Sequence, residues 1–182
     1  MNKYFLLCFS ICILLSCKKE DPTPNQLLKN TDMESVSSST WTNWGTGTGF
    51  TATVSSEESF SPNKSLMISR TAIDTENYWY WYQSYSGTIP FGRDLTLTAK
   101  IKGVNLSGNG ASIAIRCDGA TTGLQFETTQ NVVPINGTFD WTTFTVTLSN
   151  VHSDITSIVV FLIYLPNTTG TVYFDDVTLT YK

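Results

Sequence analysis

Leu95-Thr96-Leu97-Thr98-Ala99-Lys100-Ile101-Lys102 alternates apolar with polar side chains from end to end. A strand projects successive side chains to opposite faces. This stretch therefore puts Leu95, Leu97, Ala99 and Ile101 on a dry face and the threonines and lysines on a wet one. The same period recurs on either side. Ile113 and Ile115 alternate with Ala114 and Arg116, and Phe144, Val146 and Leu148 alternate with Thr145 and Thr147. Ser157 to Leu165, SIVVFLIYL, is a continuous apolar run and predicts a strand covered on both faces. Turn residues separate these runs: Gly45, Gly47 and Gly49, then Pro62-Asn63, Pro90-Phe91-Gly92, Gly108-Asn109-Gly110, Asn136-Gly137 and Pro166-Asn167. No stretch of useful length carries helical periodicity, so the expected architecture is all-β, an antiparallel β-sandwich.

Composition agrees. Among 182 residues there are 28 Thr, 19 Ser and 23 aromatics, types that suit a pleated, half-buried surface, whereas charged residues make up only 14%. A formal charge of −4 and no basic stripe argue against a nucleic-acid partner. One domain plus a leader fits the length.

The leader is residues 1–16. Lys3 supplies a positive start, and Tyr4 to Leu15 is an apolar run too short to span a bilayer. Leu14-Leu15-Ser16-Cys17 resembles a bacterial lipobox, with Leu15 bulkier than the usual residue. The resemblance implies cleavage before Cys17, a diacylglycerol on its sulfur, and a membrane contact through that anchor. Residues 17–25 then form the acylated cysteine and a tether, and 26–182 form the domain. The charged Lys18-Lys19-Glu20-Asp21 is similar to the start of surface lipoproteins of Bacteroidota-type bacteria, which implies an outer-membrane, surface-exposed location. Cys117 shares its phase with Ile113 and Ile115 and reads as a small core residue.

Near the C-terminus the alternation slips. Val172 and Phe174 share one phase, and Val177 and Leu179 the other. A β-bulge at Asp175-Asp176 would turn both pairs inward; the alternative is that the two acids cap a strand end.

Four segments, in order, resemble jelly-roll carbohydrate-binding modules of the galactose-binding-like fold. They are Asn30-Thr31-Asp32-Met33-Glu34, Asn63-Lys64-Ser65-Leu66-Met67-Ile68, Gly137-Thr138-Phe139-Asp140-Trp141, and Gly170-Thr171-Val172-Tyr173-Phe174-Asp175-Asp176-Val177-Thr178-Leu179. The resemblance covers residues 27–181 and implies a jelly roll. It also implies a structural Ca2+ where the first and last strands meet. Its ligands would be Glu34, Asp175 or Asp176, and carbonyls near Asp32 and Lys64. Ser61 stands where some relatives carry a further acid, and Glu58 is the available substitute.

Tyr78-Trp79-Tyr80-Trp81-Tyr82-Gln83-Ser84-Tyr85 is the densest aromatic stretch. As a strand it shows Trp79, Trp81, Gln83 and Tyr85 on one face and Tyr78, Tyr80 and Tyr82 on the other. Only one set can enter the core. Burying an amide without a partner is unfavourable, so Gln83 predicts that its own set faces out, joined by Arg116 and Gln125. Rings flanked by polar groups suit the C–H faces and hydroxyls of a poly- or oligosaccharide. Trp41 and Trp44 supply either a rim to this surface or core anchors. The other possibility for the aromatic strand is that its rings only shield the sheet.

Catalytic constellations are missing. His152 is the sole histidine, no nucleophile elbow or Cys/His cluster occurs, and Gly45-Thr46-Gly47-Thr48-Gly49 lacks the lysine of a phosphate loop. Glycoside hydrolysis needs two carboxylates across a cleft; no such pair is recognisable, and Glu127 beside Gln125 is the one acid to watch. The expectation is non-catalytic glycan binding at the cell envelope. The alternatives are a protein-interaction or adhesion subunit of a surface complex, and a small glycosidase with an unrecognised motif.

Overall fold

The computed structural model describes residues 25–35 and 40–182. Its nine strands are β1 (Thr42–Gly45), β2 (Thr51–Ser55), β3 (Ser65–Arg70), β4 (Trp79–Tyr85), β5 (Leu95–Gly119), β6 (Leu124–Thr128), β7 (Ile135–Leu148), β8 (Ile155–Tyr164) and β9 (Thr168–Tyr181). Every pairing is antiparallel. The fold is all-β and jelly-roll-like.

The 25-residue β5 belongs to both layers. Its first half pairs with β7 and β9, and through β9 with β3 and β2. Its second half pairs with β8 and β6, and through β8 with β4 and β1. One layer is thus β2-β3-β9-β5-β7 and the other β1-β4-β8-β5-β6. The expected turn at Gly108-Asn109-Gly110 is instead the place where β5 bends from one layer into the other. Gly108 and Gly110 have φ of 82° and 74°, which only glycine adopts freely. A Cβ on Gly108 would meet the Asn167 carbonyl at 1.8 Å. Asn136-Gly137 likewise lies inside β7, at an irregularity in its pairing with β5.

The dry face read from the sequence is the core. Leu95, Leu97, Ala99, Ile101, Ile113, Ile115 and Cys117 are fully buried, beside Ile158, Val160 and Leu162 of β8. The bulge is present. Thr98 pairs with Thr178 and Lys100 with Asp175, so β9 carries one extra residue, and Asp176 takes φ of 44°. Val172, Phe174, Val177 and Leu179 all face inward as a result. The run at 157–165 departs from expectation: Ile158, Val160, Leu162 and Tyr164 are buried, while Val159, Phe161 and Ile163 are half-buried on the outer face.

Residues 26–33 close the sandwich along β9. The Leu27 N–H donates to the Leu179 carbonyl at 2.8 Å, and the Val177 N–H donates to the Thr31 carbonyl at 2.9 Å. Leu27, Leu28 and Met33 are buried in the core. Cys17 and the rest of the leader lie outside the described residues.

Candidate functional site

The aromatic strand faces opposite to the sequence expectation. Trp81 is 5% and Gln83 6% exposed, and Trp79 and Tyr85 pack half-buried against the core. Gln83 is not an unpaired buried amide. Its Oε1 accepts from the Lys29 N–H at 2.8 Å and its Nε2 donates to the Lys29 carbonyl at 3.0 Å, so the main-chain donor and acceptor of one residue replace water. The Trp81 indole N–H donates to the Met67 carbonyl at 3.3 Å, bridging the layers. Trp79 packs on Phe50 and bonds Asn43, and the Tyr85 hydroxyl bonds the Thr88 carbonyl.

Gln125 also faces away from the outer surface. It lies opposite core-facing Cys117, where its amide accepts from the His152 N–H and donates to the Asn150 carbonyl. Its neighbours Leu124 and Phe126 are the outward residues, 57% and 45% exposed. Of the six side chains expected on the binding face, only Arg116 is on it.

That face is built by cross-strand register. Trp44, Tyr80, Ile163 and Ser112 form one row, and Thr42, Tyr82, Phe161, Ala114 and Thr128 the next. Ser84, Val159, Arg116 and Phe126 form a third, and Ser157, Asp118 and Leu124 a fourth. Tyr80 is the hub. Its ring centroid lies 5.6 Å from Trp44, 5.9 Å from Tyr78 in a stacked pair, 5.8 Å from Tyr82 and 5.1 Å from Phe161 edge-on. Burial, followed by the neighbouring Tyr78 and Tyr82 phenols, pushes the Tyr80 hydroxyl pKa up, so the phenol stays protonated at neutral pH. The hydroxyls of Tyr78, Tyr80 and Tyr82 make no hydrogen bond to another described residue. A groove of about 350 Å³ is lined by Tyr78, Tyr80, Arg116, Leu124, Phe126, Phe161 and Ile163. Trp44 stands at its edge, 49% exposed, which makes it a rim residue, while Trp41 is buried in the core. A larger cavity of about 510 Å³ lies beside the Gln83–Gly87 end of β4, where Tyr82 and Tyr85 are its only rings among Leu27, Lys29 and hydroxylic side chains.

Sequence reasoning missed Phe161, Leu124 and Phe126 and placed the three tyrosines inside. One signal was available. Val159, Phe161 and Ile163 alternate with the core set of β8, so the outer face of this layer had to be apolar as well.

The acids expected at a calcium site do not converge. The Asp175 carboxylate is fully buried and accepts N–H bonds from Phe60, Ser61 and Asp176 at 2.7, 2.9 and 2.7 Å. Burial pushes its pKa up to about 6 in spite of those bonds. Glu34 accepts from the N–H groups of Asn63 and Lys64 at 2.9 and 2.7 Å, and the Lys64 ammonium bonds the Glu34 carbonyl. Asp176 accepts from the Ser61 hydroxyl, Asp32 from the Glu34 N–H, and Glu58 pairs with Lys102 at 2.8 Å. Among the described residues no three acidic, His or Cys side chains form a metal-sized cluster. Backbone N–H groups engage Asp175 and Glu34, a hydroxyl engages Asp176 and an ammonium engages Glu58, so these side chains do not form the converging oxygen set calcium needs. Cys117 is buried, and desolvation raises its thiol to about 11, which agrees with a packing role.

No protein-family model matches the chain. No curated protein matches it either. Solved structures do. A Stig cyclase, Fisc from Fischerella sp. TAU in complex with (3Z)-3-(1-methyl-2-pyrrolidinylidene)-3H-indole, superposes with a TM-score of 0.63 at 17% identity, covering 87% of this chain and 98% of that one. TmCBM61 in complex with beta-1,4-galactotriose gives a TM-score of 0.58 at 15% identity, covering 87% and 99%. The enzymatically active domain of bacteriophage CBA120 tailspike protein 4 gives 0.59 at 16% identity, covering 87% of this chain and 22% of that one. These likenesses establish the fold. They include a carbohydrate-binding module as well as cyclase and tailspike domains.

Proposed function

We propose that this chain binds glycan without catalysis, on the outer face of the β1-β4-β8-β5-β6 layer. The observation that carries the reading is the meeting of Trp44, Tyr78, Tyr82 and Phe161 around Tyr80, beside a solvent-open groove that Tyr78, Tyr80 and Phe161 line. Flat rings receive the C–H face of a sugar, and the phenols and Arg116 receive its hydroxyls. The likeness to TmCBM61, whose complex holds beta-1,4-galactotriose, supports the same reading. The lipobox-like Leu14-Leu15-Ser16-Cys17 supports a lipid-anchored envelope protein, and Cys17→Ala should release it from membranes.

Truncating a central stacking residue removes about 2 kcal/mol of binding, some thirtyfold in affinity. Tyr80→Ala should therefore abolish retardation in a polysaccharide-containing gel while the melting curve stays cooperative. Unchanged retardation would place the ligand elsewhere. The exposure of Leu124 and Phe126 favours a second reading, a protein partner on the same face. Under that reading Tyr80→Ala disrupts a complex that soluble oligosaccharide does not compete away.

A further inference from the structure

Charge on the aromatic face is confined to one pair. Across its four registered rows the described residues supply one cation, Arg116, and one anion, Asp118, two positions apart on β5. The two are locked together. Arg116 Nε donates to Asp118 at 2.9 Å and Nη2 at 2.8 Å, while the Ser157 hydroxyl donates to the same carboxylate at 3.2 Å. The Asp118 carboxylate consequently titrates below its ordinary range and the guanidinium above its own, so both stay charged at any working pH.

A guanidinium bonded through Nε and one edge of Nη2 keeps its Nη1 N–H bonds free. Arg116 lines the groove beside Tyr80. A group arriving there meets the N–H donors of Arg116, whose charge the adjoining Asp118 carboxylate cancels. A sugar hydroxyl accepts from Arg116 and needs no net charge to do so. A carboxylate or sulfate satisfies only the arginine and is repelled by Asp118 at close range.

We propose that the Arg116–Asp118 pair sets the ligand class of this face, admitting neutral glycans and rejecting uronate-bearing or sulfated ones. This rests on the glycan reading above. Arg116 donates to the ligand, and Asp118 cancels the charge that would draw anions.

The test uses matched ligands and the purified chain. β-1,4-Galactan, β-1,4-mannan and β-1,3-glucan are each titrated beside the same polymer oxidised at C6 to the carboxylate. The parent should bind at least one neutral polymer and bind its oxidised form at least about tenfold more weakly. Asp118→Asn, which frees the guanidinium, should bind the oxidised form about tenfold better than the parent does and the neutral form within about threefold. If Asp118→Asn does not melt cooperatively, Arg116→Gln takes its place. With only Asp118 left charged, discrimination against the oxidised form should widen.

Equal binding of neutral and oxidised polymers by the parent overturns the proposal and leaves the glycan reading standing. So does a variant that discriminates as the parent does. No binding of any polymer by parent or variant overturns the glycan reading, and this proposal with it.

Discussion

Trp81→Ala decides which face of β4 is the core. The indole is 5% exposed, sits among the buried residues of both layers, and donates its N–H to the Met67 carbonyl on the opposite layer. Removing a buried Trp side chain costs about 3–5 kcal/mol through lost transfer energy and the cavity left behind. Loss of the indole N–H bond to the Met67 carbonyl adds to that cost, so about 4 kcal/mol is expected. A domain near 150 residues loses about 2–4 °C per kcal/mol, which makes the expected fall in melting temperature about 12 °C. Thermal unfolding followed by circular dichroism reads it, with Tyr80→Ala as the comparison. Tyr80 is half-buried on the outer face, and its removal forfeits ring contacts without opening the core. It should lower the melting temperature by less than half as much. A Trp81→Ala protein melting within about 3 °C of the parent, beside a Tyr80→Ala protein that collapses, would refute the facing described above.

Asp175 carries a pH dependence of unusual sign. Its carboxyl titrates near 6 in the fold against about 3.9 unfolded, so between those values the folded chain holds a proton that the unfolded chain has released. Stability from this group is therefore lost as pH rises from about 4 to about 6, by an amount on the order of 3 kcal/mol. Urea unfolding across that window should show Asp175→Asn with a flatter profile than the parent; parallel profiles would contradict the assignment. Chelation should leave the melting temperature within a degree, since the acids near β9 are held by N–H donors. A fall of several degrees reversed by excess calcium would show that the ion binds.

The architecture was legible because half-buried strands announce themselves by alternation, and the slip between Phe174 and Val177 announced the bulge. Two turn signals misled for one physical reason. Gly108, Gly110 and Gly137 bend paired strands rather than end them, and a positive φ serves either purpose. The facing of β4 was illegible because it turned on Gln83. The unfavourable burial of an amide is offset here by Lys29, 54 residues away in the chain and invisible to any local pattern. Gln125 misled in the same manner, its partners Asn150 and His152 lying in the loop after β7. Arg116 was placed correctly because it sits beside residues whose inward facing was never in doubt.

The last of the nine strands in chain order is the middle one of its layer. β9 lies between β3 and β5, and the segment at 27–31 bonds to it in turn. A nascent chain lacking residues 168–181 therefore has two unmated edges where the finished protein has none, and nothing to hold its amino-terminal segment. Such topology delays closure of the domain until residues 168–181 have been made, and its long sequence separations place folding on the millisecond-to-second scale. A chain built this way stays an open polymer until its last strand inserts, so closure is a single late event rather than a stepwise one.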